Sequence, residues 1–232
     1  MPDASKQLVI AIDGPAGAGK STVAARLARR FGYINLESGA MYRALALKAI
    51  ETGADRGSES ALVDLARNCQ IDLIPTPEGN RVLLDGLDVS SRIRERDVTD
   101  AASVVSVFPK VREIMVHLQR EMGTRGGVIM EGRDIGTVVF PNADVKIFLD
   151  ADQIVRAERR IAQVNANDPE QAAKLARDMQ ERDRRDSTRA TSPLVAAADA
   201  IHIDTSKLNI DQVIAEIERI VSARLTCIRA RL

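Results

Sequence analysis

Leu8-Val9-Ile10-Ala11-Ile12-Asp13-Gly14-Pro15-Ala16-Gly17-Ala18-Gly19-Lys20-Ser21-Thr22 is the stretch on which the fold turns. An apolar run leads into G-x-x-x-x-G-K-S, and an alanine- and arginine-rich segment of helical character follows. Strand, glycine-rich loop and helix in that order form the setting of a phosphate-binding loop. Glycines let backbone N–H groups close around a phosphate with no Cβ in the way. The helix N-terminus adds partial positive charge. Gly14, Pro15, Ala16, Gly17, Ala18, Gly19, Lys20, Ser21 and Thr22 are therefore expected to bind a nucleoside triphosphate. In this reading Lys20 reaches the β- and γ-phosphates and the Ser21 hydroxyl ligates Mg²⁺.

The remaining chain is that of an ordinary globular protein. Its 232 residues suffice for one domain with insertions or at most two small domains, and it is 45% hydrophobic and 28% charged. Thirty-three basic residues balance 33 acidic ones, so no basic excess is available to grip a nucleic-acid backbone. Four Phe, two Tyr and no Trp leave little for stacking on single strands. Small nucleotides are the better ligand class. Cys69 and Cys227 lack metal-ligand spacing and read as free thiols of a reducing compartment. The apolar run before Asp13 is too short for a signal peptide or a membrane span, so the expectation is a cytoplasmic protein without membrane or nucleic-acid partners.

Four further short apolar runs repeat the character of the first: Tyr33-Ile34-Asn35-Leu36, Val128-Ile129-Met130, Val145-Lys146-Ile147-Phe148-Leu149 and Ala200-Ile201-His202-Ile203. Near-continuous apolar strands separated by helical patterns predict an α/β fold: a parallel sheet covered by helices on both faces. Ile210, Val213, Ile214, Ile217, Ile220 and Val221 hold the helical period after a capping pair, Asn209 and Gln212. Two segments break the rhythm. Between Cys69 and Val89 the turn Pro75-Thr76-Pro77-Glu78-Gly79-Asn80 and the pair Asp85-Gly86 predict a small antiparallel β-insert. From Gln153 to about Thr191 the chain is highly charged and reads as two helices, the second starting at Asp168-Pro169.

Phosphoryl transfer spreads charge over the transferring oxygens, so positive groups should converge there. Arg133 and Asp134 follow directly on a core strand, and ligands of open α/β sheets lie beyond the carboxyl ends of their strands. Glu131, just before them, is placed to organise Mg²⁺ or its waters. Arg43 and Arg112 are further candidates. Arg182, Arg184, Arg185 and Arg189 fit either a phosphate site or a salt-bridged outer face. His117 and His202 read as packed or partly exposed residues, since transfer onto a phosphate needs no base.

Ile12 to Thr22, Ser38-Gly39-Ala40-Met41-Tyr42-Arg43, Glu131-Gly132-Arg133-Asp134-Ile135-Gly136-Thr137-Val138-Val139-Phe140-Pro141 and Arg182-Asp183-Arg184-Arg185-Asp186-Ser187-Thr188-Arg189 together resemble the bacterial cytidylate kinases over nearly the whole chain. The resemblance implies a P-loop NTPase-type three-layer fold with a five-stranded parallel sheet at its core and a helical lid. Residues 1–36, 102–150 and 192–232 would form the core. Residues 37–101 would form a monophosphate-binding region carrying the insert at about 69–89, and residues 151–191 an arginine-rich lid. It further implies that Ser38, Arg43, Ser103, Arg112, Arg133, Asp134, Arg182, Asp186 and Arg189 bind CMP. Within that set Ser103, Arg112 and Asp134 would read the base, and Asp186 would hold the ribose. Lys20, Arg133, Arg182 and Arg189 would be catalytic. Glu37 and Glu131 stand where the family commonly has Asp, keeping the carboxylate with a longer reach, and Ala18 stands where Ser is frequent.

The expected activity is Mg²⁺-dependent transfer of the γ-phosphoryl group of ATP to CMP or dCMP by a monomeric kinase. The alternatives are a kinase for UMP or a small hydroxylated metabolite, and a nucleotide-sensing module.

Overall fold

Among the described residues five parallel strands form the central sheet, in the spatial order β2 (Ile34–Glu37), β6 (Val128–Gly132), β1 (Val9–Asp13), β7 (Val145–Asp150) and β8 (Ile201–Asp204). The computed structural model describes residues 7–76, 79–164 and 168–230. β1 (Val9–Asp13) lies in the middle, paired with β6 (Val128–Gly132) on one side and β7 (Val145–Asp150) on the other. β2 (Ile34–Glu37) and β8 (Ile201–Asp204) close the two edges. All five predicted runs are strands. The central ones are buried on both faces as expected, whereas Ile34 and Ile201 on the edges are exposed, because an edge strand has a neighbour on one side only.

α1 (Lys20–Phe31) and α8 (Ile210–Arg229) cover one face, where Leu27, Ile217 and Val221 pack on Ile10, Ile12, Ile129, Ile147 and Leu149. Each fully buried Leu or Ile contributes about 1.5–3 kcal/mol there. Asn209 and Gln212 close the predicted capping box at the start of α8. On the other face Ala11, Leu36 and Met130 meet Val116 of α5 (Pro109–Gly123) and Ile135 and Val139 of a π-helical turn (Ile135–Val139).

A third apolar cluster ties α2 (Ser38–Thr52), α3 (Glu59–Asn68), a 3-10 turn (Arg92–Arg94), α4 (Arg96–Val105) and α5 together through Met41, Leu45, Leu62, Ile93, Val98 and Met115. The β-insert packs on it with Val82 and Leu84. It is an antiparallel sheet of β3 (Ile71–Thr76), β4 (Gly79–Leu84) and β5 (Leu87–Asp88). Asp85 and Gly86 turn the hairpin at φ 51° and 81°, which suits the primed turn expected of Asp-Gly. Of the predicted turn before β4, Pro77 and Glu78 lie outside the described residues, and Thr76 pairs with Gly79 across it.

The charged segment forms a helical hairpin of α6 (Gln153–Val164) and α7 (Pro169–Thr188). Asp168 caps α7 by accepting from the N–H groups of Glu170 and Gln171. Asn167, beside the predicted break, lies outside the described residues. Strand ends, the glycine-rich loop and this hairpin all meet at the carboxyl edge of the sheet.

Candidate active site

The loop after β1 has the shape that its glycines permit. Gly14 sits at φ 147°, and a Cβ there would lie 1.9 Å from the Leu149 carbonyl oxygen, so no other residue fits. Pro15, Ala16, Gly17, Ala18 and Gly19 complete the turn into α1. Lys20 is buried and donates to the Pro15 carbonyl oxygen across the loop at 2.7 Å. Burial and the nearby Arg133 pull its ammonium down to about 7. Ser21 and Thr22 are exposed on the first turn of α1, and Ser21 Oγ donates to Glu131 Oε1 at 2.7 Å. Burial pushes the Glu131 carboxyl up, with Lys20 pulling the other way.

A second group stands at the end of β2. Ser38 Oγ donates to the Glu131 carbonyl oxygen at 2.8 Å, joining α2 to β6. Arg43 is buried one turn further along and pairs with Glu37 at 2.5 Å, while Arg94 approaches the same carboxylate at 3.6 Å. Burial pushes the Glu37 carboxyl up, but Arg43 and then Arg94 hold it below its usual range. The Glu37 carboxylate thus lies between two arginines.

The third group is the most enclosed. Arg112 Nη2 donates to Asp134 Oδ2 at 2.5 Å, with side chains 3% and 6% exposed. The Arg112 guanidinium lies 5.3 Å from the centre of the Tyr42 ring and also donates to the Ser106 carbonyl oxygen. Arg189 stands 3.9 Å from the other Asp134 oxygen. Ser103 Oγ, Arg112 Nε and Arg189 Nη2 are buried here without a hydrogen-bond partner among the described residues. Buried polar atoms are nearly always satisfied, so a set of orphans in one place is what a polar ligand would complete.

Arg133, Arg182 and Arg189 meet around Asp186. Arg133 Nε donates to it at 2.8 Å and Arg189 stands 3.7 Å away. Burial raises the Asp186 carboxyl, but Arg133, Arg182 and Arg189 together hold it low. Burial and then Arg133 pull the Arg182 guanidinium down to about 10. Within α7 the two readings of the charged helix divide by residue. Arg184 and Arg185 pair outward with Glu181, whereas Arg182, Asp186 and Arg189 face the crevice. His117 is exposed beside Glu121, and His202 is exposed with its ring 5.2 Å from that of Phe148, so neither histidine enters the site.

Three residues that the sequence reading did not assign also hold this region. Arg156 of α6 donates to the Ala16 carbonyl oxygen at 3.0 Å and pairs with Asp183 of α7. Ala16 N–H in turn donates to Asp183 Oδ1 at 3.4 Å. Asp13, the last residue of β1, accepts from the N–H groups of Ile135 and Gly136 at 2.8 and 2.7 Å. The strand-end rule that singled out Arg133 applies equally to Asp13.

A parallel sheet whose first strand feeds a glycine-rich loop, with arginines gathered at the strand ends, defines a P-loop kinase. The family profile described as Cytidylate kinase matches residues 10–223, and the chain belongs to that family of nucleoside monophosphate kinases. It is 49% identical to the cytidylate kinase of Solibacter usitatus (strain Ellin6076) over 224 residues, 95% of each chain. It is 48% identical to that of Geobacillus kaustophilus (strain HTA426) over 221 residues, 95% of this chain and 99% of the relative. Among solved structures, an uncharacterized protein from Eubacterium ventriosum ATCC 27560 is similar with a TM-score of 0.52. It is 14% identical and the match covers 93% of this chain and 99% of that one, a likeness of fold alone. Among the described residues no helix is long and apolar enough to cross a membrane.

Proposed function

We propose that the Gly14–Thr22 loop holds the triphosphate of ATP and that CMP or dCMP accepts the γ-phosphoryl group in the crevice between this loop, α4–α5 and the α6–α7 hairpin. The observation that carries the choice of acceptor is the buried Arg112–Asp134 pair beside the unpartnered Ser103 hydroxyl. Cytosine offers an amine donor where uracil has an acceptor, and a carboxylate accepts from the amine. Arg112 donates to ring acceptors and Ser103 supplies a second acceptor. Asp186, held ionised by its arginines, accepts from the ribose hydroxyls.

Transfer is direct and in line. An oxygen of the acceptor phosphate forms the new P–O bond as the bond between the γ-phosphorus and the bridging oxygen of ADP breaks. Lys20, Arg133, Arg182 and Arg189 neutralise charge that moves to the bridging and equatorial oxygens, while Ser38 and Arg43 fix the acceptor phosphate. The acceptor oxygen is already ionised, so no base is required.

The residues fit Mg²⁺. Ser21 presents an exposed hydroxyl beside the Glu131 carboxylate, and the described residues hold no cluster of three or more His, Cys, Asp or Glu that could cage a metal. That suits a cation held by one hydroxyl, waters and substrate phosphates. When bound, Mg²⁺ would neutralise the β- and γ-phosphates. A cytoplasmic location is the companion reading, supported by the free thiols Cys69 and Cys227.

The α6–α7 hairpin acts as a lid. Its contacts with the rest of the site are mainly polar: Arg156 and Asp183 on Ala16, Asp186 on Arg133, and Asp178 on Arg96 at 2.5 Å. Such contacts open more readily than an apolar seam. Hydrogen exchange across Gln153–Thr188 is expected to slow when a bisubstrate analogue binds, while exchange in β1 and β6 stays unchanged. Equal protection of the hairpin with and without the analogue would reduce it to a fixed outer face.

A further inference from the structure

Asp13 is 4% exposed at the centre of the sheet's carboxyl edge, and both its carboxylate oxygens are spent on another element's backbone. Oδ1 accepts from Ile135 N–H and Oδ2 from Gly136 N–H, the first two donors of the π-helical turn. The opening N–H groups of a helical turn have no partner within it and need an acceptor from elsewhere. The residue that ordinarily supplies one is the residue at the cap, and Asp is among the best at doing so. Here that residue is Asp134, and its side chain makes no capping bond. Its carboxylate faces Arg112 and Arg189 instead.

We propose that Asp13 is a positioning residue for acceptor recognition: it caps the turn after β6 from the neighbouring strand and so keeps the Asp134 carboxylate free for the base. The inference rests on Asp134 reading the base. The turn sits directly on Asp13, since a Cβ at Gly136 would come within 3.4 Å of Asp13 Oδ2 and 3.3 Å of the Lys146 side chain. Burial pushes the Asp13 carboxyl up to about 6, while the Gly136 and Ile135 N–H groups pull it down. Asp134 raises it further and Lys20 lowers it. A buried carboxylate is a costly acceptor to keep, and two charge-assisted bonds to successive N–H groups are what it provides. Without them, the adjacent Asp134 carboxylate is the acceptor within reach of the freed donors, and turning toward them takes it away from Arg112 and the base.

The test measures kcat and KM for CMP, UMP and ATP in Asp13→Ala, Asp13→Asn, Asp134→Ala and the Asp13→Ala/Asp134→Ala double variant. Asp13→Ala is expected to raise KM for CMP and to narrow the CMP/UMP ratio of kcat/KM by about tenfold, leaving KM for ATP within about twofold. Asp13→Asn, which keeps one acceptor, should show the same split to a smaller degree, and it serves as the readout if the alanine variant does not fold. In the Asp134→Ala background, Asp13→Ala should narrow the ratio no further. An unchanged ratio in both Asp13 variants, or full additivity in the double variant, overturns the positioning role while the base reading stands. An unchanged ratio in Asp134→Ala itself overturns the base reading and the positioning role with it.

Discussion

Lys20→Ala is expected to give a folded protein whose kcat is lower by about three decades or more. The loop proposed to cradle the triphosphate would do so with its backbone, and it keeps its shape through Gly14 and Gly19, both at positive φ. In the proposed reading the side chain contributes its charge, placed over oxygens that gain negative charge as the β–γ bridge breaks. Stability should change little. Among the described residues Lys20 makes one hydrogen bond, to Pro15, and burial disfavours its charged form in the folded state. Its folded-state pKa lies below the unfolded value, so at neutral pH the charged ammonium opposes folding, and its removal relieves that cost. Steady-state kinetics together with a melting curve check both halves. A well-folded variant with near-normal kcat would remove the loop from the mechanism.

The second large effect divides recognition from rate. Asp134→Asn is expected to narrow the CMP/UMP ratio of kcat/KM by roughly ten- to a hundredfold, because the carboxamide can turn an N–H donor toward the O4 acceptor of uracil. The isosteric change keeps a polar partner for Arg112. Asp134→Ala strands that buried guanidinium and should cost about 3–5 kcal/mol of stability as well. Arg189→Ala should depress CMP and UMP alike, since the phosphate it serves is common to both. Kinetics with the two acceptors and thermal melts separate the cases. Equal losses on CMP and UMP in Asp134→Asn would mean that the base is read elsewhere.

What was legible in the sequence follows from the reach of each interaction. All five strands could be read because continuous apolar runs are what a doubly covered sheet requires, and Asp85-Gly86 and Asn209 with Gln212 announce their turn and cap locally. The charged helix was only half legible. Alternating signs along 181–186 gave no face, although Arg182, Asp186 and Arg189 share the i, i+4, i+7 spacing that brings them together over Arg133. Asp13, Arg156 and Asp183 were silent for a different reason. Asp13 bonds to backbone groups of Ile135 and Gly136, and Arg156 and Asp183 to those of Ala16, all more than 120 residues away in sequence, besides the side-chain pair that Arg156 and Asp183 form with each other. A peptide N–H or C=O carries no residue identity, so no motif records such a bond. Arg133 and Asp134 were found because strand ends in a parallel sheet point at the ligand crevice, and the same geometry brought Asp13 to their side.

The central claim, that this crevice transfers phosphoryl from ATP to the phosphate of a cytosine nucleotide, is tested most directly by coupled ADP release across CMP, dCMP, UMP and a set of small-molecule alcohols with the same ATP and Mg²⁺. The account predicts turnover with CMP or dCMP at a kcat/KM at least roughly tenfold above UMP, no turnover with alcohols, and little ADP without an acceptor. Rapid ADP release with an alcohol, or at the same rate whether or not CMP is present, would contradict it.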